Sequence, residues 1–187
     1  MSQESSGSST IEVLVVDDHP VVCDALSVAI DDQMGMDLVG TCHTAGEAMS
    51  LLRDLEPDVA VVDISLRDAY GLDLVENIRS FFEETQVIVF SMYSESVYAE
   101  RAIKAGAMGY IMKSQPVEEV VDAIRSADSE RVYLSDNMAS HILNRLPRES
   151  EQTTGFPVDS LTDRELAVFQ MLGRGHSIQD ITDRLSL

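Results

Sequence analysis

The sequence predicts an α/β protein: a doubly wound, five-stranded parallel sheet followed by a linker and a small all-α unit. Three observations carry that prediction. Short apolar runs rich in β-branched residues recur along the first two-thirds of the chain, as expected for parallel strands buried on both faces. Segments whose apolar residues repeat at helical spacing alternate with them. Beyond Asp128 the alternation stops and a polar, Pro- and Ser-containing stretch begins.

Residues 1–10, MSQESSGSST, are polar and lack any apolar periodicity, so they are expected to be a disordered N-terminus. Ile11 to Val16 is the first strand. Val22, Ala25, Leu26 and Ala29 then mark a helix, Leu38 to Gly40 a weaker strand, and Ala45, Ala48, Leu52 and Leu55 a second helix. Val59 to Val62 is the third strand, and Val75, Ile78 and Phe82 mark the helix after it. Val87 to Phe90, a helical segment over 95–105, Tyr110 to Met112, and a helix through Val117, Val120, Val121 and Ile124 complete the set. Five such alternations within about 120 residues call for right-handed crossovers and an open sheet. The predicted domain therefore spans 11–128.

Residues 129–158 read as a linker carrying one helix, whose Ala139, Ile142, Leu143 and Leu146 share a face, followed by PRESEQTTGFPVDS. Residues 159–187 begin a second unit of two short helices. Each opens on a capping signal, Thr162 with Glu165 and Ser177 with Asp180, and Gly173 and Gly175 close the first. Leu166, Phe169 and Leu172 are expected to line the buried face of one helix, and Ile178, Ile181 and Leu185 that of the other.

Composition narrows the function. A chain of 187 residues, 44% apolar, can bury a real core, and its net charge of −20 repels a phosphate backbone over most of the surface, so any DNA contact must be local. No apolar run reaches the roughly 20 residues of a membrane span, and the N-terminus lacks the basic and apolar regions of a secretory signal, which points to the cytoplasm. Cys23 and Cys42 have no metal-type spacing and are expected as small buried hydrophobes. His19, His43, His141 and His176 are scattered and read as ordinary structural residues.

The chemistry lies at the strand ends. Asp17 and Asp18 follow the first strand, Asp63 the third, Ser91 the fourth and Lys113 the fifth. In a doubly wound sheet ligands sit beyond the carboxyl ends of the strands, so all five residues should converge on one edge. Three crowded carboxylates raise one another's pKa unless a cation compensates, and a hard divalent ion such as Mg²⁺ suits oxygen ligands. Lys113, one of two lysines beside Lys104, adds a point charge for phosphoryl oxygens, and Ser91 a hydroxyl. Phosphoryl transfer needs little beyond such positioning and charge neutralisation, with Asp63 in the middle strand as phosphoacceptor. A single acidic residue at a strand end is commonly a solvated loop residue or a helix cap. Five chemically matched residues, each at the correct end of the correct strand, are not accounted for that way.

In VVDDHP, VVDISL, VFSMY and GYIMKS the sequence resembles the two-component response regulators, and DDHP resembles their NarL/FixJ branch. The resemblance covers about residues 11–128 and implies a flavodoxin-like receiver. It implies that Asp18, Asp63 and the Ser65 main-chain carbonyl ligate Mg²⁺ while Asp17 assists through water. Asp63 would carry the phosphoryl group, and Ser91 and Tyr110 would form the switch. A histidine kinase would be the donor, and phosphorylation could drive homodimer formation. Two departures stand out: Arg67 replaces a common proline in a loop whose DAYG is unusual until Gly71, and Cys23 replaces a common arginine.

LTDRELAVFQMLGRGHSIQDITDRLSL resembles the start of a LuxR-type helix-turn-helix, at Leu161, Thr162, Arg164, Glu165, Gly175, Ser177, Ile181 and Leu185. The reading is of a helix-turn-helix incomplete in this chain and lacking the recognition helix, so that no DNA-binding residue is assigned. Across 159–187 five acids outnumber three arginines. The expected function is a phosphorylation-dependent transcriptional regulator rather than an enzyme. The alternative is a receiver that acts as a phosphorylation-controlled protein-interaction module without DNA binding. A phosphatase of the haloacid-dehalogenase type fits less well, because Asp17 and Asp18 are adjacent rather than separated by one residue.

Overall fold

The computed structural model describes residues 10–145, 161–173, 175 and 177–185. Its first part alternates β1 (Ile11–Val16), α1 (Pro20–Asp31), β2 (Met36–Cys42), α2 (Ala45–Leu55), β3 (Val59–Val62), α3 (Gly71–Phe81), β4 (Gln86–Ser91), α4 (Glu95–Ala105), β5 (Gly109–Met112) and α5 (Glu118–Asp128). All strands pair in parallel in the order β2-β1-β3-β4-β5. The predicted α/β class, five-stranded parallel sheet and flavodoxin-like receiver architecture are all present.

The two-residue repeat of a strand sorts its side chains to opposite faces. Val13, Val15, Val59, Val61, Ile88, Phe90 and Ile111 pack against Leu26 and Ile30 of α1 and Val120 and Ile124 of α5. Leu14, Val16, Ala60, Val62, Val87, Val89 and Tyr110 meet Leu52 of α2, Val75 and Ile78 of α3 and Tyr98 of α4. Because both faces are covered, the central strands read as unbroken apolar runs.

β2 is longer than the predicted Leu38 to Gly40. It lies at the edge with several half-exposed residues, and its register against β1 shifts between Val13 and Leu14, which pair with Leu38 and Gly40. That bulge breaks the alternation that would have marked the strand. Val117 and Phe82 stand just outside their helices as caps.

After α5 the chain returns along the free side of β5. Tyr133 N–H donates to the Met108 carbonyl at 2.7 Å, and Tyr110 N–H donates to the Tyr133 carbonyl at 3.2 Å, covering an edge that would otherwise be open. Helices α6 (Asp136–Arg145), α7 (Asp163–Gly173) and α8 (Ile178–Leu185) follow. At α7 the predicted capping box is formed: Glu165 N–H donates to Thr162 Oγ1 at 3.3 Å, and Thr162 N–H donates to Glu165 Oε2 at 2.8 Å.

The predicted faces of these last helices need correction. Leu166, Met171 and Ile181 are buried, whereas Phe169, Leu172 and Ile178 are exposed. Apolar residues run nearly all round α7, from Leu166 to Leu172, so spacing alone could not choose the inward stripe. Residues 1–9 of the expected N-terminal tail (1–10), residues 146–158 of the expected linker (129–158), residues 159–160 and 186–187, Arg174 and His176 lie outside the described residues, as do the side chains of Ile142, Leu143, Arg164, Asp180 and Leu185.

Candidate functional site

The strand order changes direction at β1, and the crevice this opens lies beyond the carboxyl ends of β1 and β3. The sheet's hydrogen bonding continues into it. Asp17 N–H donates to the Cys42 carbonyl at 3.0 Å, Asp63 N–H to the Val16 carbonyl at 2.9 Å, and Lys113 N–H to the Ser91 carbonyl at 2.8 Å. Backbone ladders thus fix these residues side by side before any side chain is considered.

Asp17, Asp18 and Asp63 are buried, and one ligand atom from each, with one from His19, all lie within 4.8 Å of one another. Lys113, its side chain also buried, extends from the end of β5 to Asp17 Oδ2 at 2.6 Å and Asp63 Oδ2 at 2.9 Å. Burial pushes the Asp63 carboxyl above the ordinary range; Lys113 opposes the shift, and the Asp17 charge adds to it. For Lys113, burial alone would lower the pKa, but the charges of Asp63 and Asp17 outweigh it and hold the ammonium form. The two shifts agree physically, since two carboxylates compete for one lysine.

The oxygens left over fit a hard cation. Asp63 Oδ1 is buried with no regular hydrogen-bond partner, although the Ser65 backbone N–H favours the charged carboxylate. Such an orphaned oxygen in an acidic, mostly carboxylate donor set is what a divalent ion would satisfy. Ser65 is half-buried in the loop after β3.

Ser91 closes β4 and is fully buried, and its Oγ lies 3.4 Å from the Tyr93 N–H. Tyr110, expected to form the switch with Ser91, stands inward, and its hydroxyl donates to the Tyr93 carbonyl at 3.0 Å. Burial holds its hydroxyl well above the usual tyrosine range. The structure therefore brings Asp17, Asp18, Asp63, Ser65, Ser91, Tyr110 and Lys113 to one end of the sheet.

Two residues at the site escaped the sequence reading. His19, taken as one of four scattered histidines, caps the acidic pair: its Nδ1 lies 3.2 Å from Asp17 Oδ1 and 2.7 Å from Asp18 Oδ1, the latter without regular hydrogen-bond geometry. Its place directly after two aspartates was the available signal. Arg67, noted only as a departure, donates from Nε to Asp18 Oδ2 at 3.2 Å and from Nη2 to the Asp18 carbonyl at 2.9 Å. His43 is also nearby, with Nδ1 2.8 Å from the Asp17 carbonyl.

The loop after β3 has its own supports. Asp68 accepts from the N–H groups of Ala45 and Gly46 at 2.9 and 3.2 Å, capping α2 together with Thr44. The unusual DAYG stretch thus bridges two elements and returns to Gly71, whose N–H donates to the Ile64 carbonyl at 2.8 Å.

Comparison with known proteins shows what the chain is similar to. The family model of the response regulator receiver domain matches residues 13–125. The response regulator GacA of Pseudomonas aeruginosa is 32% identical over 95% of this chain and 82% of its own length. A LuxR-family two-component response regulator from Aurantimonas sp. SI85-9A1 aligns with a TM-score of 0.67 and 33% identity, over 73% of this chain and 98% of that one. RcsB of Salmonella enterica serovar Typhimurium, solved bound to promoter P1flhDC, shares the fold at 18% identity with a TM-score of 0.70, over 95% of this chain and 84% of that one.

Proposed function

Because this chain belongs to the response regulators of two-component systems, in their NarL/FixJ branch, we propose that it accepts a phosphoryl group on Asp63 and uses it to control transcription. The single observation that carries the assignment is the contact of Lys113 with both Asp63 and Asp17 inside the crevice.

In this reading a histidine kinase is the donor. A carboxylate oxygen of Asp63 forms the new bond to phosphorus as the bond to the donor breaks. Lys113 turns from the carboxylates to the phosphoryl oxygens, and Ser91 offers its hydroxyl to another. The buried setting strengthens these interactions, because little water competes for the charges. Asp18, Asp63 and the Ser65 carbonyl would hold Mg²⁺ directly, with Asp17 acting through water. When bound, the ion supplies charge neutralisation for the phosphoryl group.

Ser91 and Tyr110 form the proposed switch. A Ser91 hydroxyl drawn toward phosphate withdraws from the neighbourhood of Tyr110, and the inward ring then depends on the Tyr93 carbonyl and on packing. Both residues adjoin the segment that leads into α4, so the surface of α4 and β5 is where the change emerges. Residues 11–128 form the receiver in this scheme, 129–158 the linker, and 159–187 the opening of a LuxR-type helix-turn-helix. Contact with α4 supports an output role for the last segment, since Arg101 Nη2 donates to the Leu161 carbonyl at 2.8 Å. The protein acts in the cytoplasm, and phosphorylation favours a homodimer.

Incubation with a small acyl phosphate and Mg²⁺ tests the reading. Intact-mass spectrometry should show one added phosphoryl group in the native chain and none in Asp63→Asn. Phosphate retained by Asp63→Asn would place the acceptor elsewhere.

A further inference from the structure

We propose that Arg67 is a built-in competitor of the divalent cation, occupying Asp18 in the metal-free protein and yielding it when the ion enters. The inference rests on the Mg²⁺ reading given above. Its starting point is geometric: Arg67 reaches Asp18 through two donors, Nε to Oδ2 at 3.2 Å and Nη2 to the main-chain carbonyl at 2.9 Å. The carboxylate so held belongs to the cluster that would ligate the ion.

Charge explains why such a residue is useful. Three aspartates face a single buried lysine, whose ammonium lies against Asp17 at 2.6 Å and Asp63 at 2.9 Å. Asp18 is held from the solvent side instead, by Arg67 on Oδ2 and by the His19 ring beside Oδ1. With a divalent ion in place, the ion and Lys113 balance the three carboxylates by themselves, and the guanidinium becomes surplus positive charge. It then opposes the ion twice, by holding a ligand oxygen and by repulsion at short range.

Exposure explains how it can yield. The Arg67 side chain is 71% exposed, whereas that of Asp18 is 11% exposed, so the arginine can move into water while the aspartate stays in the crevice. An ion pair whose cation is mostly in water is weakened by hydration and screened by salt. A proline at this position, as the family resemblance would have it, carries no charge and could not compete.

Calorimetric titration of Mg²⁺ into the full, unphosphorylated chain tests this, with Arg67→Gln and Arg67→Ala beside the native protein. Both substitutions should tighten Mg²⁺ binding by about three- to fivefold. A purely structural role for Arg67 would leave affinity unchanged or weaken it. Native protein that binds Mg²⁺ while both variants bind it no more tightly overturns the competition and leaves the metal reading standing. Absence of binding in all three proteins overturns both.

Discussion

Gly71 lies so close to Asp63 that a Cβ built on it would stand 2.1 Å from the Asp63 carbonyl oxygen and 2.6 Å from the Ile64 Cα. Both atoms are backbone, so no flexible side chain can give way. Gly71→Ala should therefore cost about 1–3 kcal/mol, the range for overpacking, and lower the urea midpoint. Gly173 is the control: among the described residues nothing lies within 4 Å of its Cβ position, and Gly173→Ala should be neutral or stabilising by up to about 1 kcal/mol. Equal midpoints for native protein and Gly71→Ala would mean that the loop after β3 moves freely.

The raised pKa of Asp63 gives a pH dependence with a definite sign. Burial makes the folded protein favour the protonated carboxyl, so this group's contribution to stability is complete below the ordinary aspartate pKa and is lost as pH rises through the higher folded value. Asp63→Asn removes the charge while Lys113 keeps Asp17 at 2.6 Å. In chelator, the variant should melt like the native protein near pH 4 and become more stable as pH approaches 7. The gain there should be about 1 kcal/mol, as expected where a functional site is held against stability. A variant less stable than the native chain at pH 7 would show that Lys113 needs both carboxylates.

Much of this was legible in the sequence because the central strands are covered on both faces. Val59–Val62 reads as four apolar residues and is β3 without change, and Asp63 follows it directly at the strand's carboxyl end. The edge strand β2 was shortened in the reading because half-exposed residues and a bulge dilute its pattern. The contact of Arg67 with Asp18 was missed for another reason. Arg67 lies 49 residues from Asp18, and only the fold brings the loops after β1 and β3 together. The inward faces of α7 and α8 depend on what they pack against, which an apolar count does not state.

The two cysteines should be chemically silent in the folded protein. Both are buried and free, and burial pushes the Cys23 thiol up to about 11 and that of Cys42 up to about 12. Since the thiolate is the nucleophile, only about one Cys23 in a thousand is reactive at pH 8. Iodoacetamide should modify neither residue in native protein within the time that labels both in denaturant. Rapid single labelling of native protein would contradict the buried placement of one of them.

Glu95, at the first turn of α4, holds Ser135 at the start of α6. Its Oε1 accepts from the Ser135 N–H at 3.1 Å and its Oε2 from the Ser135 hydroxyl at 2.7 Å, while Ser135 Oγ accepts from the Met138 N–H at 3.2 Å. Glu95 thus completes from another helix the reciprocal cap that a residue three positions along would ordinarily supply. It stands two residues after Tyr93, whose carbonyl accepts the Tyr110 hydroxyl, so one carboxylate joins that segment to α6. Removing it in Glu95→Ala should cost about 1–2 kcal/mol locally, since a cap and charge-assisted bonds are lost together. Amide exchange in the first turn of α6 should then accelerate about tenfold, the ratio for 1.4 kcal/mol, while amides of β3 and β4 keep their protection. Unchanged exchange in α6 would show that packing of Met138, which is buried, holds the helix without the cap.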